Sequence, residues 1–181
     1  MQTIFLKPSE ISKAVKILKT GGVIVYPTET SYGLGCDATN KKAIKNIYKI
    51  KKRAKGKPLT VIVSSIRMAK RYAIIKKKQE KMLKKKYTTF IFPMKKPMAL
   101  RKDTVALRIS SDNIARNLSR KLGKPVVSTS ANLSGKEPIY EIKKIRDIFS
   151  GKVDAIIDAG DLKKRKPTRI IDATSGKVIR K

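Results

Sequence analysis

The 181-residue chain is long enough to bury the core of one compact domain, and 40% hydrophobic residues exclude a wholly disordered protein. No apolar run approaches the roughly 18 residues of a membrane-spanning helix, and the single cysteine, Cys36, excludes an intrachain disulfide. The 45 lysines and arginines against 13 acids leave a net charge of +32, which predicts a polyanionic partner such as RNA. A solvated lysine-rich surface is the alternative interpretation of the same charge.

The residue types that are missing narrow the possible chemistry. Because the chain contains no histidine, Ser-His, Cys-His and histidine-ligated metal mechanisms are excluded, and a lone cysteine excludes a thiolate metal site. We therefore expect no metal ligand from the protein and a reaction that depends on positioning, lysine and arginine charge, and Mg²⁺ brought in with the ligand. The N-terminal residues do not resemble a signal peptide, so the expected location is the cytoplasm.

Helices and short strands alternate along the chain. The expected helices are one capped by Ser9 and ended by Gly21-Gly22, one capped by Asn40, one or two lysine-rich helices over 67–86, and helices over 112–122 and 141–149. The expected strands are 23–26, 60–63, 88–92, 105–109, 125–127, 153–157, 169–173 and a short strand after Ser175-Gly176. This order predicts an α/β domain over residues 1–181, with a mixed sheet and Lys163–Lys166 as its mobile loop.

A dense polar segment, Tyr26 to Gly35, directly follows the first expected strand. Loops at strand ends are where α/β sheets place ligands. Pro27 fixes the exit from the strand, the following hydroxyls offer hydrogen bonds, and Gly33 and Gly35 permit close backbone approach. We interpret the segment as a ligand loop, although a threonine-rich turn would give part of the same pattern.

Two further segments carry polar groups in similar positions. Lys51 and Arg53 stand where the second helix ends and can converge on one phosphate, although basic residues at a helix end also simply favour the macrodipole. The segment Val127 to Gly135 opens from a strand into hydroxyl and amide side chains that suit phosphate oxygens or a carboxylate, or an ordinary turn.

Taken together, the segments resemble the YrdC/YciO family of threonylcarbamoyl-adenylate synthases. The matching stretches read PTETSYGLGCDA, KKRAKGKPL, DTVALR, STSANLSGKEP and KPTRIIDATSGKVIRK. They span nearly the whole chain in the order of the short, single-domain form. The resemblance implies a twisted mixed sheet with flanking helices and a concave cationic face.

The resemblance also implies an activity, that of an ATP-dependent nucleotidyltransferase. Family members condense L-threonine, bicarbonate and ATP into threonylcarbamoyl-AMP and pyrophosphate. A downstream threonylcarbamoyl transferase machinery then uses the product to modify adenosine in tRNA. ATP is a substrate here, Mg²⁺ enters with it, and tRNA or another structured RNA is a possible partner. The alternative is a YciO-like RNA-binding protein on the same fold with little synthase activity, and a domain of the carbamoyl-phosphate maturases is a third possibility.

Site residues follow from the resemblance by position. The residues that match the family's ATP contacts are Lys51, Arg53, Thr104, Ser130 and Asn132. Thr28, Arg108 and Thr168 match residues that hold threonine. No acid or base for proton transfer can be assigned.

The chain departs from the family pattern at two places. Residues 85–89 replace a PGPxT stretch, where Tyr87 and Thr89 are expected to preserve the packing. Lys52 and Ala54 replace the glycine and proline that flank the arginine.

Overall fold

The computed structural model describes residues 2–54, 56–100 and 103–181. Within these residues the helices are α1 (Ile11–Lys19), α2 (Lys41–Ile50), α3 (Ile66–Tyr72), α4 (Asn113–Leu122) and α5 (Ile142–Phe149), with 3-10 segments at Pro8–Glu10 and Lys77–Lys84. The strands are β1 (Ile4–Leu6), β2 (Ile24–Pro27), β3 (Tyr32–Gly35), β4 (Thr60–Val63), β5 (Thr88–Pro93), β6 (Thr104–Ile109), β7 (Val126–Val127), β8 (Thr129–Ser130), β9 (Ala155–Ile157), β10 (Arg169–Asp172) and β11 (Val178–Arg180).

The predicted helix starts are confirmed for α2 but not for α1. The Asn40 side chain accepts the backbone N–H of Ala43 at 3.0 Å, as expected of an N-cap. The prediction that Ser9 caps α1 is wrong, because Ser9 lies inside the 3-10 turn that precedes the helix. There the Glu10 carboxylate accepts the Lys7 N–H at 2.8 Å, so the chain begins to coil one turn earlier.

The lysine-rich stretch over 67–86 divides into α3 and the 3-10 segment Lys77–Lys84. The division occurs because the backbone between them leaves the helix to pair with the end of β5. Ala73 forms an antiparallel bridge with Met94, and the Ile74 N–H donates to the Pro93 carbonyl at 2.9 Å.

The α/β class is confirmed, and the strands form two mixed sheets. The first has the order β1-β9-β2-β3-β8 and the second β11-β10-β5-β6-β4-β7. The chain crosses from the second sheet to the first at Ser128, which separates β7 from β8. The Ser128 N–H donates to the Thr60 carbonyl at 2.8 Å, and the Thr60 hydroxyl donates back to the Ser128 carbonyl. This crossing joins the two sheets.

Side chains alternate between the two faces of the second sheet, so one set forms the core and the other lies on the opposite face. Phe90, Phe92 and Leu107 lie buried on the face covered by α3 and the 3-10 segment Lys77–Lys84. Successive residues of a strand point to opposite faces, so Ala106 and Arg108 share the other face. A second buried cluster joins α1, α4 and both sheets through Leu18, Leu118, Ile24, Tyr26 and Ile62. None of the helices among the described residues is long and apolar enough to cross a bilayer.

The segment from Tyr26 to Gly35, interpreted above as a loop, is instead a tight hairpin. β2 and β3 pair antiparallel, with Tyr26 opposite Gly33, and only residues 28–31 form the turn. Glycines are unfavourable in strands, so the sequence pattern did not predict β3. In the structure, close packing requires glycine in this strand. A Cβ atom built on Gly35 would lie 2.3 Å from the Val127 carbonyl oxygen and 2.6 Å from a ring carbon of Tyr26.

We therefore expect Gly35→Ala to destabilise the fold strongly. The obstacle is strand backbone and a fully buried ring, neither of which can move aside cheaply, so the loss should be about 3 kcal/mol or more. Urea unfolding of the variant beside Gly135→Ala, where nothing lies near the added Cβ atom, provides the measurement. At Gly135 the φ of +83° makes alanine costly through backbone strain alone. Similar losses of stability at the two sites would therefore contradict the argument that close packing requires Gly35.

Candidate functional site

A cavity of about 400 Å³ is lined by residues from both sheets. Four of these residues are arginines, Arg53, Arg108, Arg165 and Arg180, and no carboxylate occurs among the described lining residues. The other polar groups are mostly hydroxyls, from Thr28, Thr30, Ser31, Thr60, Ser128, Thr129, Ser130, Tyr32, Tyr140 and Thr168. Phosphate and carboxylate oxygens accept hydrogen bonds from guanidinium groups and hydroxyls, so the cavity suits an anion.

Arg108 is held from behind by a buried carboxylate. Its Nε donates to Glu29 Oε1 at 2.6 Å, and the two side chains are 7% and 4% exposed. The other Glu29 oxygen accepts the Ser110 hydroxyl, and Arg108 Nη2 donates to Ser128 Oγ at 3.1 Å. Burial alone would raise the pKa of Glu29, but the charge of Arg108 and the Ser110 hydroxyl outweigh it, so the pKa is lowered. Arg108 is thereby fixed with part of its fork toward the cavity.

Two arginines near the C-terminus complete the cationic wall. Arg180 Nε and Nη2 donate to the Thr168 carbonyl at 3.0 and 2.6 Å. Burial and the neighbouring positive charge of Arg108 lower the pKa of Arg180. The two guanidinium groups therefore repel each other within the cavity. Arg165 lies 5.5 Å from the Tyr87 ring centroid and donates to its hydroxyl at 2.7 Å. An anion between these groups would relieve their repulsion.

Lys51 lies beneath the cavity wall, 1% exposed. Its ammonium group donates to the Ser130 carbonyl at 2.5 Å, to the Asn132 carbonyl at 2.8 Å and to Asn132 Oδ1 at 3.0 Å. All three ammonium hydrogens therefore have protein acceptors. Burial, with a contribution from the charge of Arg53, lowers the pKa of Lys51 to about 8. The structure thus makes Lys51 the support of the Ser130–Asn132 loop.

Arg53 reaches the cavity itself. Its Nη2 donates to the Pro58 carbonyl at 3.1 Å, while its buried Nε has no hydrogen-bond partner among the described residues. Lys55, in the same predicted segment, lies outside the described residues. An arginine that lines a cavity with an unsatisfied buried donor is suited to an anionic acceptor supplied by a ligand.

The predicted site residues occupy three kinds of position. Those that line the cavity are Thr28, Arg53, Arg108, Ser130 and Thr168. Lys51 and Asn132 lie directly behind the wall, with Asn132 Oδ1 also accepting the Ser130 hydroxyl at 2.6 Å. Thr104 is not brought to the cavity, because it stands exposed at the start of β6, four residues or about 13 Å of strand from Arg108.

Sequence reasoning missed Glu29, Arg165 and Arg180. Glu29 stands inside the PTET stretch and Arg180 closes the last matching stretch, so both carried a signal. Arg165 carried none, because it lies in a run of basic residues interpreted as a mobile loop. The expectation that Tyr87 and Thr89 preserve the local packing agrees with their contacts: Tyr87 binds Arg165, and the hydroxyls of Thr89 and Thr168 lie 2.9 Å apart.

Known proteins share the fold of this chain. The Sua5/YciO/YrdC family model, described as telomere recombination, matches residues 16–181. The crystal structure of E. coli YciO is 32% identical, with a TM-score of 0.86, and the alignment covers 99% of this chain and 95% of YciO.

Two other structures place the fold in larger proteins. P. abyssi Sua5 complexed with L-threonine is 27% identical, with a TM-score of 0.88, over 98% of this chain and 56% of Sua5. The chain therefore spans little more than half of the Sua5 structure it matches. T. kodakarensis HypF, 17% identical over 94% of this chain and 23% of HypF with a TM-score of 0.80, shares the fold alone.

Proposed function

Because the chain belongs to the Sua5/YciO/YrdC family, we propose that it condenses L-threonine, bicarbonate and ATP into threonylcarbamoyl-AMP and pyrophosphate, for tRNA modification. The observation that carries the proposal is the cavity, whose described lining residues include four arginines and no carboxylate, because all the substrates are anionic or carry a carboxylate. The similarity to a Sua5 structure complexed with L-threonine supports the amino-acid part of it.

The proposed reaction makes two bonds. The threonine amine attacks the carbon of bicarbonate, which loses water to leave a carbamate. A carbamate oxygen then attacks the α-phosphorus of ATP, and the bond from that phosphorus to the pyrophosphate oxygen breaks. Such a displacement needs little covalent help, since its barrier is lowered by alignment and by neutralised phosphate charge. A site built of arginines and hydroxyls, without histidine, has what this step requires.

The proposed residue roles are those that the family resemblance implies, assigned to residues in and behind the cavity wall. Arg108, with its Nε and one Nη held by Glu29 and Ser128, is oriented to bind the threonine carboxylate beside Thr28 and Thr168. Arg53 and Ser130, which line the same cavity, would bind the nucleotide phosphates, which Mg²⁺ accompanies. Arg165 and Arg180 would add positive charge to the same cavity. Lys51 and Asn132 would act by holding Ser130 in place.

The decisive experiment measures pyrophosphate release by the purified protein with ATP and bicarbonate. Release should depend on added threonine, and mass spectrometry should detect a product with the mass of threonylcarbamoyl-AMP. Release that is indifferent to threonine, or no release together with RNA binding, would contradict the synthase and favour the RNA-binding alternative.

The variant Arg53→Ala should lower kcat/KM for ATP on the order of 100-fold, because one fixed charge donor to the phosphates is removed. Its matched control is Arg120→Ala, on the exposed surface of α4 and outside the cavity lining. The control should keep full activity, and both variants should keep the wild-type unfolding midpoint. A loss of equal size in the two variants would show that overall charge, and not Arg53, matters.

A further inference from the structure

A short segment, Lys163–Pro167, runs beside the cavity and supplies Arg165 to its lining. We call this segment the strap. It contains no helix or strand, and all of its residues are exposed. Pro167 also lines the cavity, whereas Lys164 and Lys166 do not. Residues two positions apart in the strap thus face the cavity, while their neighbours do not.

Two tyrosine hydroxyls supply the hydrogen bonds that attach the strap to other parts of the protein. Tyr140 Oη donates to the Arg165 carbonyl at 3.1 Å, and Arg165 Nη1 donates to Tyr87 Oη at 2.7 Å. Within the described part of the chain, no other hydrogen bond joins the strap to a residue outside it. Tyr140 therefore holds the backbone of Arg165, and Tyr87 holds its guanidinium group.

Electrostatic repulsion alone would turn Arg165 away from the cavity. The lining contains three other arginines, Arg53, Arg108 and Arg180, and its described residues include no carboxylate. Arg165 takes part in no ion pair within residues 2–54, 56–100 and 103–181. A long side chain on an exposed strap gains rotamer freedom and loses repulsion when it points into solvent. The Tyr87 hydroxyl and its ring, whose centroid lies 5.5 Å from the guanidinium carbon, oppose both effects.

Tyr87 presents its side chain from an unusual backbone conformation. Its φ is +53°, in the left-handed region, which is uncommon for an aromatic residue. The backbone is held on both sides, because the Tyr87 carbonyl accepts the Arg169 N–H at 3.0 Å and the Thr88 hydroxyl donates to the Lys86 carbonyl at 3.1 Å. Residues 85–89 replace a PGPxT stretch, so a chain that followed the family pattern would have proline at position 87. A proline ring cannot adopt this φ, so the turn, the ring and the hydroxyl are features of this chain.

We propose that Tyr87 is a positioning residue that holds the Arg165 guanidinium in the cavity to bind a phosphate-bearing anion. Tyr87 does not line the cavity itself, so its effect on the anion passes through Arg165. The Arg165 N–H groups at Nε and Nη2 form no hydrogen bond with any described residue, which leaves them to an acceptor brought by a ligand. The inference rests on the proposed function for the identity of that anion, which is ATP or the pyrophosphate that leaves it.

The test measures binding of pyrophosphate to the full chain by isothermal titration calorimetry, without threonine or bicarbonate, at about 0.15 M salt to screen exposed lysines. Threonine-dependent pyrophosphate release is measured separately, so failure of the proposed function and failure of this inference give different results. The variants are Arg165→Ala, Tyr87→Asn and the two combined. Asparagine removes the ring and the hydroxyl, yet it tolerates a left-handed φ. Tyr87→Phe removes the hydroxyl alone.

The variant Arg165→Ala should bind pyrophosphate about 10-fold more weakly, a typical loss for one hydrogen bond between charged groups. Tyr87→Asn should lose nearly as much, although it leaves the charge of the protein unchanged. Tyr87→Phe should lose about 3-fold, because the ring still attracts the guanidinium group. In the Arg165→Ala background, Tyr87→Asn should change the affinity by no more than about 2-fold, because the residue through which it acts is already gone.

Two control variants should stay within about 2-fold of wild type. Lys164→Ala removes the same charge from the same strap, and Tyr72→Phe removes a tyrosine hydroxyl outside the cavity lining. Equal unfolding midpoints check that each variant folds. If Tyr87→Asn has a lower midpoint, Tyr87→Phe alone decides, and unchanged binding by it contradicts the inference.

Three other results would overturn the inference. The first is a further loss of full size when Tyr87→Asn is added to Arg165→Ala, because Tyr87 would then act by another route. The second is an equal loss in Lys164→Ala, because binding would then follow net charge. The third is a wild-type protein that does not bind pyrophosphate, because Arg165 would then have no such anion to bind.

Discussion

Replacing Arg108 with alanine should destabilise the protein by about 3–5 kcal/mol, because it leaves the Glu29 carboxylate buried without its cation. Among the described residues, only the Ser110 side chain would still donate a hydrogen bond to that carboxylate. Urea unfolding gives the measurement. The double variant Arg108→Met/Glu29→Leu removes both charges with similar volume, so it should recover most of the missing stability.

The double variant also separates stability from activity. Since Arg108 is proposed to bind the threonine carboxylate, the double variant should stay inactive in threonine-dependent pyrophosphate release although it folds. If the single variant proves as stable as the double variant, the Glu29 carboxylate tolerates the loss of its cation. The interpretation of Glu29 as a buried support for Arg108 is then wrong.

The same pair predicts an acid-dependent stability. The folded pKa of Glu29 is below its unfolded value, so its contribution is fully present above about pH 4.3. It is lost as the pH falls through the folded pKa, because the unfolded state then binds the proton first. The difference in unfolding free energy between wild type and Glu29→Gln should therefore shrink as the pH falls below about 4.

Local signals of the sequence predicted much of the fold. Asn40 marked the start of α2, and the lysine-outward pattern of α2 marked its buried face, because capping and amphipathicity act within one helix turn. The division into two sheets was not predictable, since Val126 to Ser130 is one continuous run and only the crossing at Ser128 separates it. Which strand a two-residue segment pairs with is decided by tertiary packing.

The site was predicted in part for the same reason. Residue type marked Arg53 and Ser130, and the family resemblance marked Arg108, but neither could tell which way a side chain turns at a helix end. Lys51 and Arg53 were expected to share one phosphate, yet the left-handed φ of Lys52 between them directs Lys51 to loop carbonyls and Arg53 to the cavity. Arg165 joins the cavity through Tyr87, a contact between residues 78 positions apart that no local pattern contains.

Lys51→Met should abolish most of the activity even though Lys51 does not line the cavity. The variant leaves the Ser130 and Asn132 carbonyls without their donor, which costs on the order of 3 kcal/mol and loosens the loop that carries Ser130. Pyrophosphate release should fall about 100-fold, and amide hydrogen exchange should rise over residues 130–136. Lys45→Met, at an exposed position of α2, is the matched control and should change neither measurement.

The pH dependence of Lys51 distinguishes this support from a general effect on stability. The pKa of Lys51 is about 8 in the folded protein and higher when unfolded, so between the two values the unfolded state binds more protons. The contribution of Lys51 to the unfolding free energy therefore rises with pH above about 8. Deprotonation also removes one of the three N–H donors that hold the Ser130–Asn132 loop. We expect activity to fall above about pH 8 while the unfolding free energy of wild type, relative to Lys51→Met, increases. A parallel fall of activity and relative stability would show that Lys51 acts on the whole fold and not on the Ser130–Asn132 loop.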